Sequence, residues 1–343
     1  MFMCDPFGRS DTASLINYGR NDIYETNYTL FFDVQPIDLA IHASTFELVK
    51  QRSADIQNRN LKQVGTIITS EKNSTQVDEI CNLYGWQSRY YFFWGWAALD
   101  WYRGYDKTFL IKPPNERTIK KTFLMPNRIL GGTRRHRLLL LYHIFKFNMT
   151  NNWISCPEIC PGENVTVHSM ASQLKFIYPD IEEVYAKQKF PIEFPNESGA
   201  PMHSCWLSLF NESEESLLYL VTETVGEGCR LHLTEKSFKP ICLRMPFIIA
   251  GTCGSLQHLR SYGFKTFNTL WDESYDDETD DVIRMEKIAN LLYSLDQLSI
   301  EEKQNLFNMA QDICEYNYKH FYNGGFEKIL WEELINMLES INV

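Results

Sequence analysis

Residues 217–276 read LLYLVTETVGEGCRLHLTEKSFKPICLRMPFIIAGTCGSLQHLRSYGFKTFNTLWDESYD, and the order of signals in this stretch decides the fold. Leu217 to Val221 is an unbroken apolar run of strand length, the pattern of a parallel strand buried on both faces. Thr222-Glu223-Thr224 then sets a carboxylate at the strand's carboxyl end, where open α/β sheets hold ligands. A glycine-bearing loop leads to Thr234-Glu235-Lys236. Here Thr234 can cap a helix whose first turn offers unpaired N–H groups, with a lysine beside them. Pro246 to Ala250 is the next strand. Gly251 and Gly254, in Gly251-Thr252-Cys253-Gly254-Ser255, allow backbone to approach a ligand closely before a helix over Leu256 to Tyr262. Phe264 to Phe267 reads as a third strand, followed by the acidic residues 272–281. This alternation predicts an α/β nucleotide-binding fold.

Toward the amino terminus, Thr122 to Met125 is a short strand that runs through Pro126-Asn127-Arg128 into Gly131-Gly132-Thr133-Arg134-Arg135-His136-Arg137 and an apolar helix over Leu138 to Phe147. A basic, glycine-bearing loop between strand and helix suits a diphosphate, with Asn127, Arg128 and Arg137 as the candidate contacts. The competing reading is a solvated surface loop. Trp153 to Cys156 is a further strand, and Glu158 to Trp206 is proline-punctuated, predicting loops with a helix or two.

The first part of the chain reads as its own α/β unit. Tyr28 to Val34 and Val64 to Thr69 are strand-like, Ala40 to Gln57 can be helical, and Asn73 is placed to cap a helix from Ser74 to Tyr84 that stops at Gly85. Tyr90 to Tyr105 is so aromatic that it is either core or an acceptor-facing wall. Lys112-Pro113-Pro114-Asn115-Glu116-Arg117 is the linker candidate. It divides the chain into residues 1–114, an acceptor-side domain, and 115–343, a donor domain. The helices expected over Val282 to Leu295, Ser299 to Phe321 and Phe326 to Leu338 close the chain, the last crossing back to the first domain.

Composition narrows the function classes. With 343 residues there is room for two domains, and 44% hydrophobic and 14% aromatic content is globular. A formal net charge of -11 disfavours a general grip on nucleic acid. No apolar run is long enough to span a bilayer or serve as a signal region, so the expected location is the cytoplasm. Sequons at Asn27, Asn73, Asn148, Asn164, Asn196 and Asn211 are then idle, and nine cysteines read as reduced thiols. Cys156-x-x-x-Cys160 lacks a partner pair at zinc-site spacing. Residues 272–281 tempt one toward a metal site, but carboxylates ahead of Val282 also favour the amino end of the following helix.

The string TEK, followed by an apolar helix and PFIIAG, resembles the donor-binding segment of nucleotide-sugar-dependent glycosyltransferases of the two-Rossmann (GT-B) kind. It is similar to the TEK signature of the α-1,3-fucosyltransferases. The longer pattern VTET…LTEKSFKPI…PFIIAG…GSLQHLRSYGFKTF…DESYD resembles glycosyltransferase-like proteins of tailed phages and large viruses. The resemblance covers Lys121 to about Asn323, and Pro240 departs from the fucosyltransferase pattern. It implies an α/β protein of two Rossmann-like domains facing across a cleft. It also implies transfer of a sugar from a nucleotide-sugar donor to an unidentified acceptor, in the cytoplasm of the host cell if the protein is viral.

Residue by residue the resemblance reaches Glu223, Thr234, Glu235 and Lys236, with Glu235 toward the ribose and Lys236 toward the phosphate. It also implies an arginine at the first loop and helix, for which Arg128 and Arg137 are the candidates. Phosphate charge met by arginine, lysine and helix N–H groups leads us to expect no metal cofactor. An inverting transfer needs a base, for which Glu71, just beyond the strand Val64 to Thr69, is the candidate, with Asp33, Asp38 and Asp100 as rivals. The bland alternatives are a solvent-exposed Glu71 and a TEK that merely caps a helix. Two other functions stay open: a non-catalytic nucleotide-binding accessory or virion protein, and a phage DNA-base glycosyltransferase.

Overall fold

A computed structural model of the chain describes residues 2–3, 28–33, 50, 54, 64–103, 111–161, 163–194 and 207–341. It is a mixed α/β protein with parallel sheets. Asp38, the residues 195–206 and, apart from residues 50 and 54, the helix expected over 40–57 lie outside the described residues. Two compact units emerge. The first comprises residues 1–96, 230–232 and 328–343, and the second 97–229 and 233–327.

In the first unit, strands β1 (Phe2–Met3), β2 (Tyr28–Asp33), β3 (Val64–Thr69) and β4 (Gln87–Tyr90) form a four-stranded sheet in that order, every neighbouring pair parallel. The two-residue period of β3 sends successive side chains to opposite faces. Ile67 packs with Val77, Ile80 and Cys81 of helix α1 (Thr75–Tyr84) and with Trp86, whereas Ile68 packs with Tyr91, Met337 and Ile341. Ser74, not Asn73, is the cap of α1: its hydroxyl accepts from Val77 N–H, while Asn73 has a positive φ of 62°. The aromatic stretch becomes β4 and helix α2 (Phe93–Tyr102), with Phe92, Trp94 and Tyr102 buried. That favours core over an exposed wall.

The second unit is built on a four-stranded parallel sheet in the order β10-β9-β5-β6, from β5 (Lys121–Met125), β6 (Trp153–Ile154), β9 (Ser216–Thr222) and β10 (Phe247–Ala250). All seven residues of β9 are buried, as its uniform apolarity requires of a central strand. Helix α3 (Arg135–Lys146) follows β5 and is almost wholly buried. The hairpin β7 (Ile159–Cys160) and β8 (Val165–Thr166) and the short helices α4 (Val167–Ser172), α5 (Ile181–Ala186) and α6 (Phe210–Glu215) fill the irregular region. After β9 come the single turn α7 (Lys239–Cys242) and, beyond β10, α8 (Ser255–Ser261). Then follow α9 (Asp281–Asp296), α10 (Ile300–Met309), α11 (Gln311–Tyr322) and α12 (Gly325–Glu339). Residues from Lys328 onward, within α12, belong to the first unit, and Pro113-Pro114 falls inside the second. Among the described residues no helix is long and apolar enough to cross a membrane.

Two further expectations need correction. Phe264 to Phe267 is not a strand. Its backbone is satisfied by side chains instead: Lys265 N–H donates to Asn317 Oδ1 (2.8 Å), Lys265 C=O accepts from Asn317 Nδ2 (2.9 Å), and Phe267 N–H donates to Glu273 Oε1 (2.6 Å). Its apolar side chains serve the core, Phe264 stacking edge-on with Phe238 and Phe326. The basic run is not a loop throughout either. Gly132–Arg134 is a 3-10 turn, and Arg135, His136 and Arg137 open α3 with His136 and Arg137 buried.

Candidate functional site

At the carboxyl end of β9 the chain turns its own carboxylate inward. Glu223 is fully buried and accepts four hydrogen bonds: from Thr234 N–H (3.0 Å) and the Ser237 hydroxyl (2.7 Å) on Oε1, and from the Thr234 hydroxyl (2.6 Å) and Thr224 N–H (3.1 Å) on Oε2. A buried charge is tolerated only when paired or hydrogen-bonded to this degree. Glu223 is therefore a clamp that fixes the TEK turn.

The turn itself is short. Glu235–Phe238 form a 3-10 turn that passes into α7, with Thr234 at the cap position and Pro240 in the first turn of α7, where its missing N–H costs nothing. Lys236 Nζ is held by Glu235 Oε1 and Thr234 Oγ1 at 3.0 Å each and by Thr224 Oγ1 at 3.3 Å, yet 30% of its side chain is open to solvent. Glu235 is buried. The result is a lysine positioned at the strand ends, its side chain partly open to solvent.

The neighbouring arginines are engaged differently. Arg137 is buried, and its two terminal nitrogens donate to the carbonyls of Ile129 (2.6 Å), Thr222 (2.7 Å) and Glu223 (2.9 Å). Burial first, then the adjacent Arg134, pushes its guanidinium down to about 9. It binds the end of β9 to the end of β5. Arg128 is exposed. Arg134, which the sequence reading passed over, is half-buried, donates to Gly131 C=O (3.2 Å) and lies in the field of Glu235. Its signal was its place at the end of a glycine turn rather than on the helix. Asn127 is buried, its Oδ1 accepting from the Thr222 hydroxyl (2.8 Å), while its Nδ2 has no hydrogen-bond partner among the described residues.

The glycine turn after β10 is closed. Gly254 takes a left-handed φ of 79° ahead of α8, the conformation glycine adopts without strain. The helix N–H groups of Leu256 and Gln257 already donate to Asp276 Oδ1 (2.8 Å) and Oδ2 (3.0 Å). Gly251 C=O accepts from Arg284 Nε (2.9 Å). Arg284 is fully buried, and its remaining nitrogens reach Glu278 C=O (2.6 Å), Gly226 C=O (2.7 Å) and Asp281 Oδ1 (2.6 Å). It clips the loop after β9 to the loop after β10. No motif marked Arg284, and Asp276 was noticed only as part of the acidic stretch, because the backbone groups they hold at Gly226, Gly251, Leu256 and Gln257 lie 19 or more residues away in sequence.

The acidic stretch is distributed among structural tasks. Asp280 caps α9 through the N–H groups of Val282 and Ile283, Glu273 accepts from Phe267 and Thr266, and Asp276 closes α8. Among the described residues no group of three or more His, Cys, Asp or Glu side chains is arranged to hold a metal ion. A cavity of about 80 Å³, lined by Ile111, Lys112, Pro113, Arg117, Cys242 and Arg244, includes none of the predicted site residues.

In the first unit, Glu71 follows β3 as expected but is not solvent-exposed. Its side chain is inaccessible, with Oε2 accepting from the Ser74 hydroxyl (2.7 Å) and Oε1 paired with Arg230 NH1 (3.2 Å). Asp100 is exposed on α2. In comparisons with family models, curated proteins and solved structures, none matches this chain.

Proposed function

We propose that the chain is a nucleotide-sugar-dependent glycosyltransferase of the two-domain GT-B kind, its second unit taking the donor. Lys236 carries the reading: an ammonium oriented by Thr224, Thr234 and Glu235 at the carboxyl ends of a parallel sheet, with part of its side chain left open. Lys236 meets the donor phosphate through a charge-assisted hydrogen bond, and Glu235 accepts from the ribose hydroxyls. The unpartnered Asn127 Nδ2 supports the reading as a further donor kept for a ligand. As the glycosidic bond breaks with oxocarbenium character, Lys236 stabilises the departing diphosphate, and no divalent ion is required.

Glu71 is retained as the candidate base, although a carboxylate paired with Arg230 is a weak one until that pair opens. This pairing favours a second reading, a nucleotide-binding protein without transferase activity. A thermal-shift screen against UDP, GDP and their sugars, followed by a donor-hydrolysis assay, tests both. Stabilisation with slow hydrolysis supports the transferase, stabilisation without hydrolysis supports the binding protein, and no stabilisation by any nucleotide overturns both. Donor affinity that vanishes in EDTA and returns with manganese would overturn the metal-free reading.

A further inference from the structure

The cavity of about 80 Å³ in the second unit is lined by three cations, Lys112, Arg117 and Arg244, and by no carboxylate. Two of the three have an acidic neighbour behind them. Lys112 Nζ pairs with Glu214 Oε2 of α6 (3.0 Å), and Arg244 Nε with Glu315 Oε2 of α11 (3.4 Å), a side chain whose other oxygen pairs with Lys319. Arg117 is only 4% exposed, yet among the described residues no carboxylate lies within ion-pairing distance of it. Its Nε donates to Lys112 C=O (2.8 Å) and its Nη1 reaches Arg244 C=O at 3.5 Å, so Nη2 is left without a hydrogen-bond partner among the described residues. Arg244 Nε is buried and makes no hydrogen bond there either. Burial, before all else, pushes the Arg117 guanidinium down to about 10, with Glu214 opposing the fall and Arg244 adding to it. Buried charges are normally paired or fully hydrogen-bonded, and an anion in this cavity would complete both.

We propose that this cavity is a binding site for a phosphate-sized oxyanion, held by Arg117 and Arg244 with the more exposed Lys112 beside them. Both guanidiniums are set against aromatic rings: Arg244 Cζ lies 3.9 Å from the centre of the Tyr318 ring, and Arg117 Cζ 6.0 Å from that of Phe307. A guanidinium held by a ring face keeps its in-plane N–H fork for an oxyanion. Arg244 takes a left-handed φ of 51° just beyond α7. The turn alone would favour glycine there, whereas arginine brings a cation to the cavity wall. The volume is several times the roughly 10–15 Å³ that one water needs, which admits one tetrahedral oxyanion but not a nucleotide. The chemistry recognised is therefore a phosphoryl group, as inorganic phosphate or as the monoester of a small metabolite. No residue of the TEK turn lines the cavity, and the proposal does not rest on the transferase reading.

The test is calorimetric titration of the full chain with inorganic phosphate at low ionic strength, in the Lys236→Ala background so that a contact to Lys236 plays no part. The expected result is saturable binding that sulfate displaces and chloride at the same ionic strength does not. Arg117→Met keeps the buried stem without the charge, and Arg244→Asn supplies a residue that tolerates the left-handed φ. Each should weaken phosphate about ten-fold or more. Lys112→Gln should weaken it by a smaller factor, since 61% of the lysine side chain is in solvent. Circular dichroism checks that each variant is folded, and if Arg117→Met is not, the other two decide. Titration with glycerol phosphate separates the sources: affinity at or above that of phosphate assigns a monoester, lower affinity the free ion. No saturable phosphate binding, displacement by chloride as effective as by sulfate, or unchanged affinity in every folded variant would each overturn the proposal.

Discussion

The ends of β9 and β10 lie side by side in register, Thr222 opposite Ala250, and each is followed by a turn that a carboxylate organises. At β9 the carboxylate is local. Glu223 accepts four donors from its own turn and so holds Thr234, which leaves Lys236 as a cation with part of its side chain in solvent. At β10 the carboxylate arrives from downstream, and Asp276 occupies the first N–H groups of α8. One end is open with a positive charge, the other closed by a negative one. A glycine turn before a helix announces an anion site, but whether the chain itself fills that site depends on a residue the local pattern does not contain.

The largest expected effect comes from removing what joins the two ends. Arg284→Met keeps the aliphatic bulk but deletes donors to Gly226, Gly251, Glu278 and Asp281, leaving buried carbonyls unpaired. Loss of one member of such a buried polar set costs about 3–5 kcal/mol. Chemical denaturation of wild type and variant should show that loss as a lower midpoint. A change below 1 kcal/mol would mean the two loops hold their places without the clip.

Next in size is a change on the β9 side alone. A Cβ added at Gly226 would come within 2.1 Å of the buried His136 ring, which lies at the start of α3 among buried neighbours. Gly226→Ala should cost about 1–3 kcal/mol through the enforced shift. Gly131→Ala is the matched comparison. The added Cβ there meets the far end of the Glu163 side chain, which can swing aside, so its cost should be much smaller. Equal losses in the two variants would show that the β9 loop yields as easily as the surface.

These positions also mark where sequence reasoning succeeds and where it stops. The parallel sheet of the second unit was legible because β9 is apolar on both faces and each strand is closed by a turn signal. Glu223, Thr234 and Lys236 do come together, since a strand end and the next turn are joined by a short loop. The inward aim of Glu223 was not legible, because a carboxylate at a strand end serves a ligand or a fold equally well. Arg137 is a similar case: its position in a basic run pointed to solvent and phosphate, but α3 begins three residues earlier than expected and carries it under the sheet end. Phe264 to Phe267 misled for the opposite reason. Two phenylalanines in a short stretch after a glycine turn read as a strand, yet Asn317 and Glu273 supply the hydrogen bonds a neighbouring strand would have made.

The open end is tested by Lys236→Ala. Lost charge-assisted contact to phosphate is worth roughly 1.5–3 kcal/mol, so nucleoside-diphosphate affinity should fall about ten-fold or more by calorimetric titration. Fold stability should change little, because the side chain is partly in solvent. Glu235→Gln should weaken nucleosides without altering the response to inorganic pyrophosphate. Unchanged affinity in both variants would remove this turn as the donor site and leave Glu223 as a clamp on a purely structural turn.

The smallest effect belongs to the closed end, and its pH dependence carries the information. Burial pushes the Asp276 carboxyl above its ordinary value of 3.8, against the opposing pull of the Leu256 and Gln257 N–H groups. In the folded chain Asp276 therefore takes up a proton at a higher pH than in the unfolded chain. Folding is thereby relatively favoured as pH falls through the folded-state value, and the gain levels off below the unfolded one. Asp276→Asn cannot titrate. At neutral pH the amide oxygen still accepts from one of the two N–H groups and the buried charge is gone, so the net change should be on the order of 1 kcal/mol or less. As pH is lowered toward 3.8 the wild type should gain on the variant. Denaturation midpoints measured from neutral to acid pH decide the point: a difference between the two proteins that stays constant, or moves in favour of the variant, would show that Asp276 is not the buried charge at the head of α8.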